Sequence, residues 1–207
     1  MHLTKIDIDF RRAAAREALL DAQVMHKALT ALFGTSRKDG DILYRLNHGV
    51  QSASVYVYSN IPAAEGTPVD GMSVVYSKCY DSVLDSIRDG MKIAFSLEAV
   101  PSIKKSRSGE NDNGPSRRKV ISSADDRLSW LARKGAASGF DLVSVEETEG
   151  DQILIGHSKE RGGEVTIQAF HYAGTVQITD AAAFRKALQN GIGPERAYGA
   201  GMMMISF

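Results

Sequence analysis

A chain of 207 residues, 43% apolar and 24% charged, has room for one large or two small domains and enough apolar material for a core. Twenty-five basic residues balance twenty-five acidic ones, which argues against indiscriminate polyanion binding and leaves room for a local basic stripe. No apolar run approaches the roughly 20 residues of a bilayer span, residues 1–10 alternate where a signal peptide would be solidly apolar, and the one cysteine, Cys79, allows neither an internal disulfide nor a thiolate metal cluster. A cytoplasmic protein without membrane association is expected, with Cys79 a small, partly buried side chain.

Leu3, Ile6, Ile8 and Phe10 alternate with Lys5, Asp7 and Asp9, the period of a half-buried strand. From Asp21 to Phe33 the apolar positions Met25, Ala28, Leu29, Leu32 and Phe33 recur at three and four, giving a helix that Gly34 ends. Residues 42–46 and 54–58 read as strands and 81–89 as a second helix closed by Gly90, so the first half runs β-α-β-β-α. The order then begins again. Residues 92–97 form a strand, Ser123 with Asp126 opens a helix through Trp130 and Leu131 to about Gly135, and strands follow near 140–147, 152–157 and 164–178. A helix over about 181–190 precedes a terminal strand at 202–205, in which Met202, Met203 and Met204 pack on both faces. This pattern predicts an α+β fold of two tandem ferredoxin-like (RRM-like) domains with antiparallel sheets, residues 1–89 and 90–207.

Two stretches stand apart from that order. Residues 104–119 carry Lys104, Lys105, Arg107, Arg117, Arg118 and Lys119 around a polar tip, six positive side chains against Glu110 and Asp112. Such a concentration in a neutral chain predicts an exposed loop or hairpin that contacts nucleic-acid phosphates, a solvated insertion being the plainer reading. The last seventeen residues hold glycines at 191, 193, 199 and 201 between a helix and an apolar strand. Glycines permit close backbone approach, and successive amides with Arg196 at the tip suit phosphate oxygens. The plainer reading makes Gly191 a helix cap and the remainder a turn. The spacing G-x-G-x5-G-x-G is neither the dinucleotide fingerprint nor the P-loop, so no nucleotide cofactor is expected.

Among the histidines, His26 has the most interpretable address. It borders the stripe of Met25, Leu29 and Leu32, with Gln23 and Thr30 beside it at i−3 and i+4. A border imidazole is anchored yet reachable, and an unperturbed pKa of about 6.5 lets it give or take a proton at neutral pH. The competing reading is an amphipathic side chain that edges the core. His2, His48, His157 and His171 show no metal-ligand spacing, so no metal site is expected. Asp125-Asp126 reads as a helix start, Glu146-Glu147 as a solvated strand end, and no Gly-x-Ser-x-Gly elbow occurs.

The Leu3-Thr4-Lys5-Ile6 strand, Met25-His26-Lys27-Ala28-Leu29, Ser129-Trp130-Leu131-Ala132-Arg133-Lys134 and the glycine loop from Gly191 to Gly201 together resemble the CasE-type endoribonucleases of type I-E CRISPR systems, over nearly the whole chain. The resemblance implies tandem ferredoxin-like domains and metal-independent, cofactor-free cutting of the repeat hairpin of precursor CRISPR RNA. It also implies that the guide is retained among the other Cascade subunits. His26 falls on the family's catalytic histidine, and the 2′-hydroxyl beside the scissile phosphate attacks in line to leave a 2′,3′-cyclic phosphate. Position 23, a tyrosine in some relatives, is Gln23, and position 31, a lysine in some, is Ala31. Gln23 can orient a phosphate or ribose hydroxyl, and Lys27, Lys5 and Arg196 are the candidates for stabilising charge. The basic strand that leads into Ala-Asn-Pro in relatives is Ser96-Leu-Glu-Ala-Val-Pro101 here. Lys104, Lys105, Arg107, Arg117, Arg118 and Lys119 are therefore expected to grip the stem, with Gly193, Arg196, Gly199 and Gly201 completing the RNA contacts. The rival expectations are a non-catalytic RNA-hairpin-binding subunit of a ribonucleoprotein assembly, with His26 a border residue, and an interaction module or small-ligand regulator.

Overall fold

The structure, a computed structural model, describes residues 1–49, 52–64, 69–104, 118–158 and 163–207. The first half contributes β1 (His2–Ile8), α1 (Ala13–Leu20), α2 (Ala22–Phe33), β2 (Leu43–His48), β3 (Ala53–Ser59), β4 (Met72–Cys79) and α3 (Asp81–Ser86). Then come β5 (Lys92–Ala99), β6 (Ser102–Lys104), β7 (Arg118–Val120), α4 (Ala124–Ala137), β8 (Phe140–Ser158), β9 (Gly163–Ile178), α5 (Ala181–Asn190), a 3₁₀ turn (Arg196–Tyr198) and β10 (Met203–Ser206). The strands form two four-stranded antiparallel sheets, ordered β2-β3-β1-β4 and β10-β5-β9-β8, with β6 and β7 paired as a separate ribbon. In each sheet the first strand lies between the third and the fourth. That order defines two tandem ferredoxin-like domains.

Each sheet buries one face under its helices. In β1 the side chains of Thr4, Ile6 and Ile8 are buried and Asp7 is exposed, as period-2 alternation requires. Against Ile6, Val55 and Val57 pack Met25, Leu29, Leu32 and Phe33 of α2. Asp21 starts that helix by accepting from the Gln23 amide at 2.8 Å, and Gly34 ends it at φ 62°. The second core gathers Phe95, Leu97, Trp130, Leu131, Phe140, Phe184 and Leu188. At about 1.5–3 kcal/mol for each large side chain withdrawn from water, these two clusters supply most of the driving force for folding.

The remaining faces of the two sheets meet each other. Leu43, Tyr58 and Met202 are buried there with Leu3, Tyr56 and Met204 around them, while Met203 belongs to the helix-covered core. The terminal methionines thus pack on both faces, as their sequence suggested. Arg45 of β2 bridges to the second sheet, donating from Nη1 to Ser96 Oγ at 2.7 Å and from Nη2 to His171 Nδ1 at 3.1 Å.

Several elements differ from the sequence-based expectation. The first half has a fourth strand, β4, and only then the short helix α3 that was expected at 81–89. A register shift opposite Lys5 and Ile6 breaks the alternation of β4 and leaves Val74 and Val75 40% and 51% exposed, so its periodicity is hidden. Helix α1 is missing from the expectation because it buries only alanines, Ala15 and Ala18, a weak apolar signal. β8 is one continuous strand where two were expected, since pairing with β9 carries the acidic run at 146–149 through the ladder. Cys79 is exposed, its Sγ donating to Asp81 Oδ2 at 3.3 Å.

Candidate active site

Helix α2 turns its stripe onto the first sheet and leaves Gln23, His26 and Thr30 half-buried at the border, with Lys27 exposed. The border is covered by the second domain. The 3₁₀ turn lies against α2 and β2, and β8 reaches α2 as well. Val100, Ile153, Ala169 and Ala200 form a small cluster that receives Ala22 from the start of α2 and Tyr198 from the turn. Tyr198 meets His26 edge-on, with ring centroids 6.4 Å apart and planes at 68°. The buried Tyr44 of β2 donates from its hydroxyl to the Ala22 carbonyl at 3.4 Å. His26 therefore sits at the junction of the two domains.

Its environment disfavours the charged ring. Burial pushes the His26 pKa below its ordinary value, and the positive charge of Arg37 pushes the same way. Nδ1 of His26 is buried and makes no hydrogen bond among the described residues. Arg37 follows α2 in the loop before β2; burial and the charge of Arg196 both lower its own pKa, while Asp41 works in the opposite direction. Burial also raises Tyr44, with Tyr198 the next contributor.

The glycine loop is shaped by packing as much as by any ligand. Gly193 lies against Trp130 and Gly199 against Tyr44, so the loop is pressed between α4 and β2. Gly191 caps α5, its amide donating to Ala187 O at 2.8 Å. The amides of Ile192, Tyr198 and Gly201 are likewise engaged, with Gly201 O, Glu195 O and Glu98 O. Those four amides are spent inside the protein. Arg196 is exposed at the turn, as expected of the tip.

The structure does not bring every candidate together. Lys5 is excluded from the His26 side: it alternates with Ile6, which packs under α2, and its Nζ pairs with Asp7 at 3.2 Å on the other face of the sheet. Lys104 and Arg118 are opposite one another in the β6–β7 ribbon, where Lys119 is exposed across from Ile103. The basic segment is thus rooted in a hairpin. Lys105, Arg107 and Arg117 lie outside the described residues. Glu147 is not a solvated strand end: it is ion-paired with the buried Arg127 at 2.6 Å. Among the described residues no group of three or more His, Cys, Asp or Glu is placed to hold a metal ion, and no helix is long and apolar enough to cross a membrane.

Sequence reasoning passed over Arg37 and Tyr198. Arg37 stands in a loop with no periodicity, and Tyr198 is separated from His26 by 172 positions, so neither carried a local signal.

Comparison with known proteins agrees with this architecture. The family model described as "CRISPR associated protein" matches residues 1–206, and the chain belongs to that family. The CRISPR-associated endoribonuclease Cse3 of Thermus thermophilus is 23% identical over 219 residues, covering all of both chains. A solved CRISPR endoribonuclease Cse3 bound to a 19-nucleotide RNA superposes over all of both chains with a TM-score of 0.85 at 21% identity. A subunit of a CRISPR RNA-guided surveillance complex does so with a TM-score of 0.75 at 20% identity. The resemblance to CasE-type proteins read from the motifs is borne out.

Proposed function

We propose that this protein is a metal-independent endoribonuclease that cuts the repeat hairpin of precursor CRISPR RNA in the cytoplasm and stays with the guide in a Cascade assembly. The observation that carries this reading is the address of His26. It is a half-buried imidazole at the junction of two ferredoxin-like domains, its pKa lowered by burial and by Arg37. The naming of the similar Cse3 proteins as endoribonucleases, one of them bound to RNA, supports the activity, and the surveillance-complex likeness supports the assembly.

In this reading residues 1–89 carry the catalytic histidine and residues 90–207 the RNA grip. Neutral His26 takes the proton of the 2′-hydroxyl through Nε2, Nδ1 being sealed. The 2′-oxygen attacks the adjacent phosphorus in line, the 5′-oxygen leaves and takes a proton from water, and a 2′,3′-cyclic phosphate remains. Gln23, one turn before His26, orients the ribose or phosphate by hydrogen bonding, and the exposed Lys27 contributes positive charge. Proton transfer of this kind contributes about 10²–10⁴ in rate, so positioning and charge stabilisation supply the rest. Lys104, Lys105, Arg107, Arg117, Arg118 and Lys119 of the basic segment hold the stem through its phosphates, which suits A-form RNA. Arg196 meets the RNA from the glycine loop, whose course Gly193, Gly199 and Gly201 set.

The test is cleavage of an end-labelled repeat hairpin in excess EDTA. Wild type is expected to cut at one position and His26→Ala to be slower by at least about 10². Equal rates would remove His26 from the mechanism, and tight binding without product at any pH would select the non-catalytic RNA-binding subunit instead.

A further inference from the structure

Two arginines, one from each domain, line the same pocket at the domain junction. Arg37 comes from the first domain, is half-buried, and its Nε is buried without a hydrogen-bond partner among the described residues. Arg196 comes from the second domain, where its Nη1 donates to the Asn190 carbonyl at 2.6 Å. The stem of Arg196 lies along Gly191 and Gly201: a Cβ at either position would stand 3.0 Å from its Cδ or its Cγ. These glycines, at φ 76° and 87°, keep the course of the stem clear. The loop is therefore a cradle for an arginine.

Both arginines line one open pocket of about 120 Å³ with Lys38, Asp41, Gln189 and Asn190. Three cations there face a single carboxylate. Holding two like charges in a half-dry pocket is unfavourable by itself and becomes favourable when an anion lies between them. Planar guanidinium forks match phosphate oxygens in two-point contact, which a lysine does not offer. The Nε of Arg37, without a partner among the described residues, supplies a donor for such an anion, and Tyr198, on the same turn as Arg196, meets His26 edge-on with ring centroids 6.4 Å apart, which brings the turn that bears Arg196 up to the imidazole.

We propose that Arg37 and Arg196 form a seat for a backbone phosphate of the bound RNA beside His26, where they neutralise the charge that builds on its oxygens during attack. This inference rests on the endoribonuclease reading and fills the role that neither Gln23 nor Ala31 can fill. In the step it serves, the bond from the 2′-oxygen to phosphorus forms and the bond from phosphorus to the 5′-oxygen breaks. The 2′-hydroxyl proton goes to His26, the 5′-oxygen takes one from water, and the arginines exchange no proton.

Single-turnover cleavage at saturating protein tests it with Arg37→Gln and Arg37→Lys, alongside binding of an uncleavable hairpin with a 2′-deoxy nucleotide at the cut. Arg37→Gln is expected to slow cleavage by about 10²–10³ while hairpin binding weakens less than about tenfold. Arg37→Lys should recover part of the rate, because charge returns without the fork. Cleavage by Arg37→Gln within twofold of wild type overturns the seat and leaves the nuclease reading intact. The free protein supplies a second measurement: titration of wild type with inorganic phosphate, followed by NMR of the Arg37 Nε–H and the His26 ring. Both signals should move together, and the His26 response should vanish in Arg37→Gln. If wild type cuts no hairpin, the nuclease reading fails and this titration alone decides the seat; unmoved signals overturn it, as they do if the variants fail to fold.

Discussion

Burial and the Arg37 guanidinium both resist protonation of His26, so its charge state is coupled to folding. Above the unfolded value of about 6.5 the ring is neutral in both states and costs nothing. As pH falls below that value, the unfolded chain takes up a proton that the folded protein refuses, and stability declines until the lowered folded pKa is passed. The protein should therefore lose stability relative to His26→Gln between pH 7 and pH 5. Urea unfolding of the two proteins at both pH values checks this, and a stability difference that stays constant with pH would remove the coupling. If His26 is the general base of the proposed cleavage, the same shift places the acid limb of the rate below pH 6.5. A general base must be neutral, so the rate should rise through that limb and level off by neutrality.

At the scale of single elements, α4 shows how a helix holds the hairpin that precedes it. Arg127 lies 3.9 Å over the Phe170 ring and donates from Nε and Nη2 to Glu147. Its Nη1 donates to Ser122 O at 2.5 Å, in the link between β7 and α4. The exit of the basic hairpin is thereby clamped to β8. Position 127 shares a helical face with Trp130, Leu131 and Gly135, all buried, so periodicity placed an arginine inward; Glu147, the partner that makes this tolerable, is twenty residues away on a strand. Arg127→Met should destabilise the protein by about 3–5 kcal/mol, because Glu147 is left nearly buried and unpaired. Removing both charges together in Arg127→Met/Glu147→Leu should recover most of that loss. Thermal unfolding of the single and double variants measures the difference.

At the scale of the whole molecule, the site exists only because two domains are fastened sheet to sheet. His26 comes from the first domain and Tyr198 and Arg196 from the second, and the fastening includes Leu43, Tyr58 and Met202 with Arg45 reaching Ser96 and His171. Arg45→Ala should cost about 1–3 kcal/mol through the polar groups left unpaired at this interface. It should also slow cleavage, since the neighbours of His26 are held less firmly, while Arg45→Lys restores the charge but not both contacts. Urea unfolding and single-turnover cleavage of the same variants give the two readouts. An unchanged unfolding midpoint in Arg45→Ala would show that the apolar contacts alone fasten the domains.

By itself the sequence determined the local features: strand and helix periods, the Ser123 cap, the border position of His26 and the concentration of charge at 104–119. Each of these is written in neighbours a few positions apart, where alternation, turn geometry and charge density act. The tertiary structure alone decided what surrounds His26. Tyr198 reaches it from the second domain and Arg37 acts on it from the loop after α2, the bulged strand β4 is held by pairing with β1, and the glycine loop spends four of its amides inward while it guides one arginine. Charge and packing act through space, so residues distant in the chain set the chemistry of one imidazole.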